Sequence, residues 1–187
     1  MSQVSICNVA LSKIGDESIL SLDDDTKAAR YCKLLYDEQR KFVLRSYPWR
    51  FALNRYVLAP LRDKPLFGYE YQFSLPADCL RVWEVIGNSR DNPFQVENGR
   101  ILYNQSVLKF IGISDVSDPS LFDSMFSEAL SLRLASQLAF PLTADKALSR
   151  EMTEQYEYYV QKARSASAFE GTNEQITLAE SWLEARL

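Results

Sequence analysis

The stretch that decides the fold is residues 26–59, TKAARYCKLLYDEQRKFVLRSYPWRFALNRYVLA. Ala28, Cys32, Leu35 and Phe42 recur at helical spacing, with Tyr31 and Tyr36 beside them. Pro48 disfavours helical geometry at Tyr47, so the helix is expected to stop near Arg45 or Ser46. At about 1.5 Å per residue it should be roughly 30 Å long. The period then changes. Phe51 and Leu53 point one way, and residues 56–58 continue an extended run. The stretch therefore carries the chain from a helical layer into a β layer. Trp49 and Phe51 are placed to plug that junction. Arg40 and Arg55 flank it, where they are expected to hydrogen-bond the carbonyls freed at the helix end.

Upstream, Val4, Cys7, Leu11 and Ile14 step by three and four, one face of a helix that Gly15 closes. Asp23, Asp24 and Asp25 are expected to supply the cap and favourable negative charge at the start of the second helix. Downstream, YEYQFSL (69–75) alternates strictly, which predicts a strand. CLRVWEVIG (79–87) and SVLKFIGI (106–113) predict two more. FQVENGRILYN (94–104) carries Asn98-Gly99 between extended arms, a hairpin signal because both residues tolerate positive φ. Residues 49–114 thus read as about six short strands in an antiparallel meander, a small sandwich or barrel-like layer.

Asp118-Pro119 reads as a helix start. Leu121, Met125, Ala129, Leu132, Ala135 and Ala139 follow at helical spacing as far as Pro141. Thr143 is expected to open a fourth helix, with Leu148, Met152, Tyr156, Tyr159 and Ala163 on one stripe and Gly171 at its end. The fold class is α+β. Residues 1–48 and 115–171 form a four-helix bundle, 49–114 an inserted β subdomain, and 172–187 a separate tail. Ile176, Ala179, Leu183 and Leu187 lie at helical spacing in that tail, near Leu178, Trp182 and Arg186. Ile176, Leu178, Trp182, Leu183, Arg186 and Leu187 are its candidate partner-binding residues, because so short a helix needs a partner groove to be stable.

The 187 residues suffice for one well-packed domain. The three cysteines are widely spaced, with no CxxC pair, and read as reduced, buried small hydrophobes of a cytosolic protein. No run of about 18 apolar residues is present, so no membrane segment is expected, and the N-terminus does not read as a signal peptide. The chain has no histidine. That removes the usual Ser-His and Cys-His nucleophile systems, the commonest zinc ligands and the usual neutral-pH base. No catalytic, metal or cofactor residue can be named, and the chain is not expected to be an enzyme.

Net charge is −4, unevenly spread. Residues 26–64 hold ten Lys or Arg against three Asp or Glu. Lys27, Arg30, Lys33, Arg40, Lys41 and Arg45 share the second helix. Three readings of this basic stripe stand. It is a solvated face with local ion pairs to Asp37 and Glu38, a subunit interface against acidic neighbours, or a surface for nucleic acid. On the interface reading the candidate residues are Lys27, Arg30, Lys33, Lys41 and Arg45.

LSKIGDESILSLDDDTKAARYCKLLYDEQRKFVLRSYPWRFALNRYVLA resembles the opening of the tail tubular protein A family, the head-to-tail adaptors of short-tailed phages and prophages. The features that carry this are Ile14-Gly15, Ile19, Ser21-Leu22-Asp23, Ala29, Cys32, Tyr36-Asp37, Arg40, Leu44-Arg45, Pro48-Trp49, Phe51-Ala52, Arg55 and Leu58-Ala59. LPADCLRV, ALSLRLASQLAFPLTAD and SWLEARL also look like the family, so the resemblance spans essentially the whole chain. It implies a non-catalytic virion protein, made in the bacterial cytoplasm. Copies would form a ring, dodecameric by analogy, between the portal protein and the next tail or nozzle component. Genomic DNA would pass through the channel without sequence-specific contacts. The rival expectation is a DNA-binding accessory protein that uses residues 26–45.

Overall fold

The computed structural model describes residues 1–170, with side chains through residue 163. The tail residues Ile176, Leu178, Trp182, Leu183, Arg186 and Leu187, and Gly171, lie outside the described residues. Among the described residues the fold is α+β, with four helices and two three-stranded antiparallel sheets. The helices are α1 (Gln3–Lys13), α2 (Lys27–Ser46), α3 (Ser124–Thr143) and α4 (Lys146–Glu170). The strands are β1 (Leu53–Leu58), β2 (Tyr71–Ser74), β3 (Cys79–Val85), β4 (Gln95–Glu97), β5 (Arg100–Tyr103) and β6 (Leu108–Ser114).

α1 closes as the sequence indicates. Gly15 N–H donates to Ser12 O and Asp16 N–H to Leu11 O, which satisfies the freed carbonyls of the last turn. The cap of α2 differs from the expectation. Thr26, not the aspartate run, accepts from Ala29 N–H. Asp24 is drawn back to the loop, where its carboxylate accepts from Leu20 and Ser21 N–H. The buried face of α2 follows the expected one at Ala28 and Cys32 and turns from it further along: Ala29, Tyr36 and Val43 are also buried, Leu35 is partly buried and Phe42 is exposed. Phe42 is instead covered by the guanidinium of Arg133, 4.2 Å from the ring centre.

α3 lies against α1, α2 and α4 and is buried on most of its circumference. Small residues allow the close approach. Ser131 Oγ bonds Ser127 O and also Ile6 O on α1, so a buried hydroxyl is satisfied across the contact. Asp118-Pro119 opens only one 3-10 turn, residues 119–121, and Leu121 is exposed. α3 starts five residues later, capped by Asp123 on Phe126 N–H at 2.6 Å. It also runs past Pro141 to Thr143, because a proline in the last turn gives up one hydrogen bond and the ladder resumes with Ala144 N–H to Phe140 O. α4 is capped by Asp145, which accepts from Ala147 and Leu148 N–H, not by Thr143.

The six strands form where expected, but they are not a meander. The sheet orders are β1-β6-β3 and β2-β5-β4. Asn98 (φ 47°) and Gly99 (φ 67°) close the β4–β5 hairpin in left-handed conformations. β1 pairs with β6 over its whole length, Leu53 opposite Ile113 and Leu58 opposite Leu108. This pairing returns the chain beside its point of entry, so residues 53–114 can be inserted between two helices without separating them. The sheets share a core of Phe73, Cys79, Val85, Ile101, Tyr103, Leu108 and Phe110. Trp49, Ala52 and Ile113 belong instead to the core of the helices.

Candidate functional site

Two features are candidates, the layer junction and the basic face of α2. At the junction Tyr47 is extended (φ −149°, ψ 145°), as a residue before proline must be. Trp49 N–H then donates to Tyr47 O, and Ala52 N–H to Trp49 O. These tight turns swing Trp49 under the end of α2, where its indole N–H donates to Val43 O at 2.9 Å. Trp49 is 2% exposed. Its ring meets Tyr47 and Phe126 edge-on, with centroids 5.0 and 5.3 Å away. Phe51 meets Phe126 at 5.1 Å and Phe122 at 5.7 Å. Phe126 is therefore the hub of the plug. Periodicity alone does not find it, because it carries the helix from Asp118 and puts the apolar stripe on Leu121 and Met125. The Asp at position 123, three residues before Phe126, is the capping signal that would have found it.

Arg40 is fully buried yet charged. Its guanidinium bonds Asp115 and, at 2.6 Å, Val116 O, where β6 leaves the sheet, and Asp37 lies 3.3 Å from Nε. A buried charge with these partners pins the second crossing between the layers, while Trp49 plugs the first. The carbonyls freed at the end of α2 have a different partner. Arg81 donates to Arg45 O at 3.1 Å, and Arg45 donates to Leu80 O. Arg55 lies on the exposed side of β1, opposite Ile111, away from this exchange.

The basic face is exposed but engaged by the protein's own groups. Arg30 pairs with Asp25 at 2.9 Å and Lys33 with Asp23 at 2.7 Å, both pairs more than half exposed. The Lys33 ammonium holds the Asp23 carboxyl below the usual carboxylate range. Lys41 stands 3.5 Å from Asp115. Lys27 donates to Pro141 O and lies 5.9 Å from the Tyr31 ring centre. The local partners are thus mainly the aspartate run and Asp115. Of the two acids expected on α2, Asp37 pairs with the buried Arg40.

Cys7, Cys32 and Cys79 are free and buried. The hydrogen bond with Cys32, and then burial, push the Cys7 thiol far above its ordinary value, so it is held protonated. Among the described residues, no group of three or more Cys, Asp or Glu side chains is placed to hold a metal ion. No described helix is long and apolar enough to cross a membrane. The chain matches no protein-family model and no curated protein sequence.

Proposed function

We propose that this protein is a structural head-to-tail adaptor of a short-tailed phage or prophage. Copies would form a ring beneath the portal protein, connect the capsid vertex to the tail, and surround the DNA channel. The helices act as a four-helix bundle that packs between copies, and the β subdomain is offered to the next tail or nozzle component. No cofactor, metal, membrane or catalytic step enters this reading. The observation that carries it is the welded junction. Trp49, Phe51, Phe122 and Phe126 plug one crossing and the buried Arg40–Asp115 pair pins the other. A passive adaptor must hold two contact layers at a constant angle, and both crossings are stiffened for that.

The rival reading is a DNA-binding accessory protein that uses residues 26–45. The ion pairs of Arg30 and Lys33 weigh against it, because phosphates would have to displace carboxylates already in place. Exposed pairs of this kind are worth about 0.2–1 kcal/mol each, so reversing them leaves the fold intact. The test is Arg30→Glu with Lys33→Glu, mixed with portal and viewed by negative-stain microscopy. A folded monomer that no longer forms rings is expected. Tight duplex binding by the wild type, with a steep negative salt slope and lost in the variant while rings persist, would favour the rival.

A further inference from the structure

The loop between β1 and β2, residues 59–70, carries Leu66 and Phe67 at its tip, 97% and 85% exposed. It is a built projection. Buried Gln72 uses both ends of its amide at the base, donating to Asp63 O at 2.7 Å and accepting from Arg100 at 2.7 Å. Leu61 N–H donates to Gln72 O, and Glu70 N–H to Asn104. A tip held this way loses little freedom on docking. Arg62 and Lys64 flank it, at the end of the basic segment.

Among the helices, the α1–α2 loop, the start of α2 and the end of α3 line an open cavity of about 230 Å³. Ile19, Ala28 and Leu142 line it with apolar surface, and Asp16 and Glu17 with negative charge; Lys27 also lines it, its ammonium turned to Pro141 O, so the acids outnumber it. Leu20, next in the chain, is 93% exposed. The cavity lies below the roughly 300–1,000 Å³ of small-molecule pockets and is the right scale for one or two side chains. The same chain cannot fill it. At about 1.5 Å per residue, α3 carries Leu142 about 24 Å from Phe126 at the junction, and Leu66 and Phe67 lie instead beside Glu97 and Leu102 of the β4–β5 hairpin.

We infer that the Leu66–Phe67 tip of one copy seats in the Asp16–Leu142 cavity of a second copy, with Arg62 and Lys64 against Asp16 and Glu17. The contact is heterologous, so repetition gives a closed ring or an open filament. A single tip in a single socket is a small contact. Ring closure holds every copy twice and supplies the rest. This inference rests on the ring reading above and names one of the contacts between its copies.

The experiment is sedimentation velocity over a concentration series, alone and with portal. It compares wild type, Leu66→Ser/Phe67→Ser, Arg62→Glu/Lys64→Glu, and that last variant combined with Asp16→Lys/Glu17→Lys. All the substituted tip residues are exposed, so both tip variants should keep the wild-type unfolding midpoint; Asp16 is partly buried and accepts from Glu17 N–H, so the combined variant is first checked for an unchanged midpoint. The tip variant should need at least about 100-fold more protein to associate, from the loss of two buried apolar side chains. The charge reversal should weaken association, and the combined swap should restore it. A tip variant that assembles like wild type, or a swap that restores nothing, overturns the inference while leaving the adaptor reading standing. Open filaments that need the tip and never close on portal uphold the inference and sink the adaptor reading. A wild type that stays monomeric under both conditions overturns both.

Discussion

Replacing Trp49 by alanine tests whether the junction is the structural keystone that the geometry makes it. The side chain is 2% exposed, donates to Val43 O, and sits edge-on against two rings. Large aromatic-to-alanine changes in cores cost about 3–5 kcal/mol. Loss of the indole hydrogen bond adds about 0.5–1.5 kcal/mol, kept low because Ser46 Oγ also donates to Val43 O. Against a total stability of about 5–15 kcal/mol, a loss of about 3.5–6.5 kcal/mol takes a large share. Trp49→Phe keeps a ring in the plug and should lose only about 1–2 kcal/mol, mostly the hydrogen bond. Urea unfolding followed by far-UV circular dichroism gives both values by linear extrapolation. The alanine variant should also split the single transition in two, because helices and sandwich have separate cores that meet at this plug. A loss below about 1 kcal/mol with one unchanged transition would show that the junction does not couple the layers.

Gly112→Ala should cost about 1–3 kcal/mol by overpacking, since a Cβ there would lie 2.8 Å from Cys79 Sγ and 3.0 Å from the Phe110 ring; an unchanged urea midpoint refutes it. Burial, with a hydrogen bond to Asp78, raises the Tyr56 hydroxyl from 10.0 to about 12. The neutral phenol is favoured in the fold, so its contribution is complete below pH 10 and is lost as pH rises towards 12. Tyr56→Phe should flatten the stability profile in that window, and a profile parallel to wild type sinks the assignment. Deleting residues 172–187 should leave the thermal midpoint nearly unchanged and abolish portal binding; the reverse pattern would mean that the tail serves the fold.

Short-range constraints were legible in the sequence. Pro48 dictates the conformation of Tyr47, and Asn98-Gly99 supplies two left-handed residues in a row, so the end of α2 and the β4–β5 hairpin could be placed from local chemistry. The six strands followed from alternation and turn residues. The burial of Trp49 followed from its place just after the helix stop.

What tertiary structure decided involved competition between local options. Asp118 and Asp123 both cap, yet only Asp123 starts a helix that points Phe126 into the plug. Asp24 and Thr26 both suit the start of α2, and the loop takes the aspartate. Pro141 looked like a stop, but one missing hydrogen bond in a last turn is a small cost for a helix buried on three sides. The pairing of β1 with β6 joins residues from 50 to 60 positions apart, Leu58 with Leu108 and Leu53 with Ile113, and no pattern within either strand names its partner. The charge of Arg40 was visible in the sequence, but its burial was not. Only the fold brings Asp115 and Val116 O to it, and without those partners a guanidinium would remain in water.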